Sequence, residues 1–224
     1  MRAFALIRHG DYRQKANTPS AHQPYPLTPA GENQAEACAE QLNALAAELE
    51  LNISSCIHTS PLLRAWQTGD IIRRRWGDPN IQLQQTQALS ERCVGSVANL
   101  TIAEIEQLLR ADPRYPRPPL NWKARSDYCL PFPGAESLNQ AGKRVADYIN
   151  QLCETAPAHS LTPLVGHGAA FRHGACALGI LSPEDVARLS MFHAQAVIIA
   201  QTDAGWIHLA GQWKPRPSPR EFTD

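Results

Sequence analysis

The sequence predicts an α/β fold, a three-layer α/β/α sandwich around a mostly parallel central sheet. Two observations carry this. Short apolar runs of strand length alternate along the chain with longer stretches of helical periodicity. The apolar runs are also continuous rather than alternating, as strands buried on both faces require. Such an alternation puts helices on both faces of one sheet, and ligands then sit at the carboxyl ends of its strands.

The elements follow in order. Residues 3–8, AFALIR, are short, apolar and soon ended by Gly10, which makes them a buried strand. Residues 11–27 hold Asn, Thr, Ser and Pro19, Pro24 and Pro26, and form a loop. Thr28 offers an N-cap and Pro29 suits the first helical position. The helix over 30–50 carries Ala37, Leu42, Leu45, Ala46 and Leu49 at roughly helical spacing. SSCIHTS, 54–60, is a second short strand. Ser60 and Pro61 repeat the cap-plus-proline start for a helix running to about Arg75. Residues 81–89 supply a further strand. Thr101 with Glu104 forms a capping box for a short helix. The stretch 111–137 is rich in proline and irregular, and a loop of that length inside a compact domain is functional or flexible. Ser137 with Gln140 opens a helix to about Glu154, and LTPLVG at 161–166 is a third buried strand. A helix follows from Gly168 to about Leu178, then a short one capped at Ser182–Asp185. AQAVIIAQ and GWIHLAG are two terminal strands parted by Asp203-Ala204-Gly205. The chain reads as one domain over 1–224, with an irregular lid insertion at about 92–135 and an extended or disordered tail at about 213–224.

Charge and composition exclude some classes. Lys and Arg number 21 against 21 Asp and Glu, so the balance lacks the positive excess that phosphate-backbone binding needs, and nucleic acid is not an expected partner. The one basic run, Arg73–Arg75, falls at a helix end, where cations complement the dipole. No apolar run reaches the ~18 residues of a membrane span. Arg8 and His9 interrupt the N-terminal apolar stretch too early for a signal peptide. The six cysteines are scattered without a C-x-x-C pair, which suits reduced thiols in a cytoplasmic protein. Cys38 and Cys56 read as small core residues.

The chemistry gathers at three strand ends. The first strand ends at Arg8-His9-Gly10. The second ends at His58-Thr59-Ser60, with Arg64 one turn into the next helix. The third ends at His167-Gly168. If these strands are neighbours, two histidines and two arginines meet in one pocket. Two arginines close together repel unless an anion lies between them, and guanidinium forks match phosphate oxygens. The helix from Gly168 would add backbone N–H donors and a positive dipole end. A neutral imidazole in that field can attack phosphorus and form a phosphohistidine. Each piece alone has an ordinary structural explanation; the joint placement favours phosphate. Neither histidine has a carboxylate or cysteine at ligand spacing in these motifs, so no metal and no other cofactor is expected.

These residues resemble a known family. LIRHGDY is similar to the Arg-His-Gly signature of the histidine phosphatase superfamily, also called phosphoglycerate mutase-like. LTPAGENQAE, IHTSPLLRAWQTGDII, LSERCVGSV, PGAESLNQAGKRV and PLVGHGAAFRHG resemble its later motifs, in order, from residue 3 to about 200. The resemblance implies the phosphoglycerate mutase-like fold, with His9 as nucleophile and Arg8, Arg64 and His167 holding the phosphate. It implies Glu91 as the acid that protonates the leaving oxygen and then activates water. Read as a bare sequence, Glu91 beside Arg92 is an ordinary loop glutamate. Glu136 at a helix start is the rival acid, more simply explained by holding a backbone segment or Arg64.

Departures from the family bear on the reaction. Mutases of this family carry Asn six residues after the nucleophile, where Lys15 stands. They carry Tyr three residues after the acid, where Val94 stands, and a Lys where Ile102 falls. Arg114, Arg117, Lys123 and Arg125 are the candidates for a second phosphate site. A mutase must hold a second phosphate and exclude water, so these losses favour hydrolysis. The expectation is a metal-independent phosphomonoester phosphatase acting on a phosphorylated small molecule or phosphoprotein. A phosphoglycerate mutase-type phosphotransferase is the first alternative, and a non-catalytic phosphate- or phosphoprotein-binding module is the second. Tyr115, Trp122, Tyr128 and Phe132 either bind a leaving group or pack the lid. Arg13 either reaches substrate or lies on the surface, and His193 either faces the pocket edge or caps a strand. The sequence leaves the oligomeric state open.

Overall fold

The computed structural model describes residues 1–19 and 22–216. Its central strand is β1 (Arg2–Arg8), which is buried on both faces, as its unbroken apolar run requires. β1 runs parallel to β5 (Ser160–Gly166) on one side and antiparallel to β7 (Ala196–Thr202) on the other. Beyond β5 come β3 (Cys56–Thr59) and the edge strand β4 (Gln82–Gln85), both parallel; the two-residue β2 (Asn52–Ile53) also pairs with β5. Beyond β7, β8 (Gly205–Ala210) closes the other edge.

Successive side chains of β1 feed two separate cores, because strand side chains alternate between faces. Ala3, Ala5 and Ile7 pack with Cys38 and Leu42 of α1 (Pro29–Glu48) and Ile72 of α2 (Leu63–Trp76). Phe4 and Leu6 pack on the other face. There they meet Val145 and Ile149 of α4 and Phe171 of α5, where α3 spans Ile102–Ala111, α4 Leu138–Thr155 and α5 Gly168–Ala177. The three predicted layers are therefore present. α6 (Pro183–Arg188) and a small ladder of β6 (Leu189–Ser190) with β9 (Lys214–Pro215) complete the α-helices and strands among the described residues.

Caps fall where the sequence puts them. The Thr28 hydroxyl accepts the Gly31 N–H, and Thr101–Glu104, Ser137–Gln140 and Ser182–Asp185 are reciprocal capping boxes. The start of α2 differs. Its N-cap is Leu62, and the Ser60 hydroxyl instead takes the Leu62 N–H in the turn before the helix. The buried face of α1 is Ala35, Cys38, Ala39, Leu42 and Ala46, while Ala37 points outward. Cys56, next to the edge strand, is only half-buried. The strand expected over 81–89 stops at Gln85, and Gln87–Leu89 is a 3₁₀ turn. The tail is extended at Lys214–Pro215; its remainder from 217 lies outside the described residues. Residues 92–135 are mostly irregular but have their own apolar cluster: Val94, Val97, Ile105, Leu109, Trp122 and Leu130. Trp122 is buried there and Phe132 packs against the same cluster. No described helix is long and apolar enough to cross a membrane.

Candidate active site

β1, β3 and β5 are adjacent and parallel, so His9, Ser60 and His167 leave the sheet at the same edge. Backbone bonds lock that edge: the His9 N–H donates to Gly166 O (3.0 Å) and the Ser60 N–H to Val165 O (2.8 Å).

Arg64, in the first turn of α2, enters this edge and is fully buried. Its Nε donates to His9 Nε2 (3.2 Å), its Nη2 to His167 Nδ1 (3.3 Å) and its Nη1 to Gln23 O (3.0 Å). Its guanidinium carbon lies 4.5 Å from the centre of the Tyr12 ring.

These contacts assign the histidine tautomers. His9 Nδ1 lies 2.7 Å from Gly10 O, which can only accept, so Nδ1 carries the hydrogen. The Nε2 lone pair then faces Arg64. His167 Nδ1 faces a guanidinium that can only donate, so its hydrogen sits on Nε2 and points to Ser60 Oγ at 2.9 Å. Burial holds His9 well below its usual pKa, and Arg64 and Arg8 push the same way. Burial does the same for His167, reinforced by Arg64 and then His9. Both rings are therefore neutral near pH 7, and His9 presents an unprotonated nitrogen to a cationic pocket.

The loop after His9 is held tightly. The Gly10 N–H donates to Thr68 Oγ1 (3.0 Å), and the Thr68 hydroxyl donates to Arg64 O (2.8 Å). A methyl group on Gly10 would lie 2.4 Å from Gly31 O, so only glycine fits where the loop crosses the start of α1. Arg8 completes the cationic wall, with its Nη1 donating to Met191 O (3.1 Å). The His193 ring lies 5.7 Å from that of His9, centre to centre, so it faces the pocket.

Glu91 is buried at the N-terminus of α5, directly after His167. Its Oε1 accepts from the N–H groups of Arg92 (2.9 Å) and Ala170 (3.1 Å), and its Oε2 lies 3.4 Å from the Ala169 nitrogen. Among the described residues, no group of three or more His, Cys, Asp or Glu converges as a metal site needs.

The profile of the histidine phosphatase superfamily (branch 1) matches residues 4–212. The chain belongs to the histidine phosphatase superfamily. Curated relatives include 2,3-bisphosphoglycerate-dependent phosphoglycerate mutases. That of Brucella ovis is 30% identical over 187 residues, covering 83% of this chain and 85% of the relative. That of Methylocella silvestris is 28% identical over the same shares. Among solved structures, a mycobacterial glucosyl-3-phosphoglycerate phosphatase superposes with a TM-score of 0.66 at 21% identity, covering 96% of this chain and 98% of the other. A phosphoserine phosphatase from Entamoeba histolytica gives 0.66 at 18% identity, covering 96% and 97%. At these identities the superpositions establish the phosphoglycerate mutase-like fold.

Within this superfamily member, the sequence-predicted residues divide. His9, Arg64 and His167 meet directly, with Arg8 and Glu91 at the same edge. The helix start at Gly168 has a further contact beside the expected one. The N–H groups of Ala169 and Ala170 face Glu91, so the α5 dipole end holds a carboxylate. A Cβ on Gly168 would come within 3.2 Å of Arg8 Cδ, so the glycine makes room for that side chain. Arg13 is exposed, and its backbone N–H bonds Pro26 O; no described hydrogen bond ties its side chain to the histidines. Glu136 pairs with Arg144 at 2.7 Å and accepts the Cys93 N–H at 3.0 Å, rather than holding Arg64. Sequence reasoning assigned no part in the site to Tyr12, Gln23, Ser60 or Thr68, and read Ser60 only as a helix cap. Ser60 and Thr68 stand inside the IHTSPLLRAWQTGDII motif, but only the fold shows which atoms their hydroxyls meet.

Proposed function

We propose that this member of the superfamily is a metal-independent phosphomonoester phosphatase, cytosolic, acting on a phosphorylated small molecule or phosphoprotein. One observation carries the reading: the neutral His9, with its Nδ1 hydrogen tied to Gly10 O, turns an unprotonated Nε2 to the Arg64 guanidinium, whose N–H an incoming phosphoryl oxygen would take over, with Arg8 close by. In the reaction, Nε2 attacks phosphorus, a P–N bond forms and the bond to the ester oxygen breaks. Glu91 supplies the proton that the leaving oxygen takes up. Arg8, Arg64 and the Nε2 hydrogen of His167 offset the charge on the phosphoryl oxygens. Glu91 then takes a proton from water, the water oxygen bonds to phosphorus, and the P–N electron pair returns to Nε2 as phosphate leaves. Oε2 of Glu91, with a single long backbone contact, is the oxygen best placed to exchange that proton. Residues 92–135 serve as the lid that selects substrate. The free thiols Cys38, Cys56, Cys93, Cys129, Cys153 and Cys176 suit a reducing compartment.

The names of the curated relatives favour a second reading, phosphoryl transfer between positions of a phosphoglycerate. Hydrolysis is preferred because two of the four lid cations that could hold a second phosphate, Arg114 and Arg125, are paired locally. Arg114 bonds Asp112 and Arg125 bonds Asp127, each two residues away and on the surface, while Lys15 Nζ donates to Asn99 O. Wild type and His9→Ala, assayed side by side on an aryl phosphate in chelator, test the proposal. Wild-type release of phosphate with His9→Ala at background is the expected result. Turnover that survives the loss of His9 would place the nucleophile elsewhere.

A further inference from the structure

Glu91 has no regular element beneath it. It lies in irregular backbone between the 3₁₀ turns Gln87–Leu89 and Gly95–Val97. Irregular backbone aims a side chain reliably only when neighbouring groups hold it. The carboxylate itself meets N–H groups of Arg92 and α5, and His22 Nε2 lies 3.2 Å from Glu91 O; the backbone on either side is tied to one guanidinium. Arg144 of α4 donates from Nη1 to Gln87 O (2.9 Å) and Ala88 O (2.8 Å), and from Nη2 to Ser90 O (3.1 Å). The same Nη2 meets Glu136 Oε1 at 2.7 Å, and Nε lies 3.4 Å from Glu136 Oε2. Glu136 continues the clamp past the catalytic position. Its Oε1 accepts the Cys93 N–H (3.0 Å), and its own N–H donates to Cys93 O (2.9 Å). Three carbonyls before Glu91 and the peptide groups of Cys93 after it are thus tied to one ion pair.

We propose that Arg144, with Glu136, is the positioning residue for Glu91, holding its carboxyl where it can exchange a proton with the leaving oxygen. This rests on Glu91 acting as the acid. A mere surface ion pair would add little to stability and nothing to proton transfer. The planar fork matters, because an ammonium offers no fixed geometry for several carbonyls at once.

The leaving group separates the two roles. An aryl phosphate such as p-nitrophenyl phosphate leaves with little help from an acid, whereas an alkyl phosphate such as glycerol phosphate needs the proton. Measured as kcat/KM, Glu91→Gln should lose about 10²–10⁴ on the alkyl ester and far less on the aryl ester. Arg144→Met should show the same skew, its alkyl loss exceeding its aryl loss by about tenfold or more. Arg144→Lys keeps the charge beside Glu136 and should still be skewed. If lysine restores both esters fully, charge alone suffices and the clamp is overturned. Glu136→Gln, which retains an oxygen for the Cys93 N–H, gives the same sign of skew in a milder variant should Arg144→Met fail to fold. Equal losses on both esters in folded Arg144 and Glu136 variants would overturn the proposal while Glu91 keeps its role. An unskewed Glu91→Gln would remove Glu91 as the acid, and the clamp's purpose with it.

Discussion

Neutral buried imidazoles are costly to the fold once the solution turns acidic. His9 and His167 sit well below their ordinary pKa of 6.5 through burial and the arginines around them, and burial brings His173 to about 4. His173 is fixed in its neutral form, with Nδ1 donating to Ala169 O (2.8 Å) and Nε2 at 3.1 Å from Ser126 Oγ. The sign for stability follows from linkage. Below 6.5 the unfolded chain binds protons that the folded chain refuses, so stability falls as pH drops from 6.5 toward the folded-state values. Each such histidine contributes a slope of up to roughly 1.4 kcal/mol per pH unit within its window. The melting temperature should therefore decline from pH 6.5 to 5, before most carboxylates titrate. His173→Asn should make that decline shallower. A melting temperature that is flat over this range would contradict neutral burial.

At the scale of elements, the site is a junction of three βα turns, cross-tied by side chains that do no chemistry. Thr68, on the second turn of α2, joins the turn after β1 to the start of α2 by accepting from Gly10 and donating to Arg64 O. Through Gly10 it orients the carbonyl that sets the His9 tautomer. Thr68→Val preserves shape but leaves the buried Gly10 N–H without its acceptor. That should cost about 1–3 kcal/mol in denaturant unfolding and lower turnover, with Thr68→Ser recovering most of both. Activity unchanged in the valine variant would mean that the His9 loop is held by its other contacts, including the close approach of Gly10 to Gly31.

For the whole molecule, the proposed reaction needs the body to hold the phosphate, and we propose that residues 92–135 decide what else is bound. That segment has its own apolar cluster and ties back to the body. The Asn139 N–H donates to Ser126 O (2.9 Å) and the Ile102 N–H to Asn17 O (2.9 Å). Arg114 and Arg125, two of the candidates for a second phosphate site, are paired with Asp112 and Asp127, which is the basis for expecting hydrolysis. Incubation with 2,3-bisphosphoglycerate and a monophosphoglycerate should yield inorganic phosphate without interconversion of the 2- and 3-phosphates. Isomer exchange without phosphate release would establish the mutase reading instead.

The sequence alone determined the sandwich, since AFALIR and LTPLVG could only be strands covered on both faces, and Thr28-Pro29 and the capping boxes marked helix starts by local chemistry. It also brought His9, Arg64 and His167 to one edge, because parallel strands place their carboxyl ends together. What it left open depended on contacts far apart in the chain. His193 is turned toward His9 by the backbone bond from the Ala194 N–H to Arg8 O (2.8 Å), a pairing across 186 residues. The family motif favours Glu91 over Glu136 as the acid, but not by any contact that can be read in the text. Only packing shows one capping α5 beside His167 and the other bound to Arg144. Periodicity and caps are local properties and survive in a string of letters. The partner of a carboxylate is chosen by which helices pack together, and that is decided only in the folded chain.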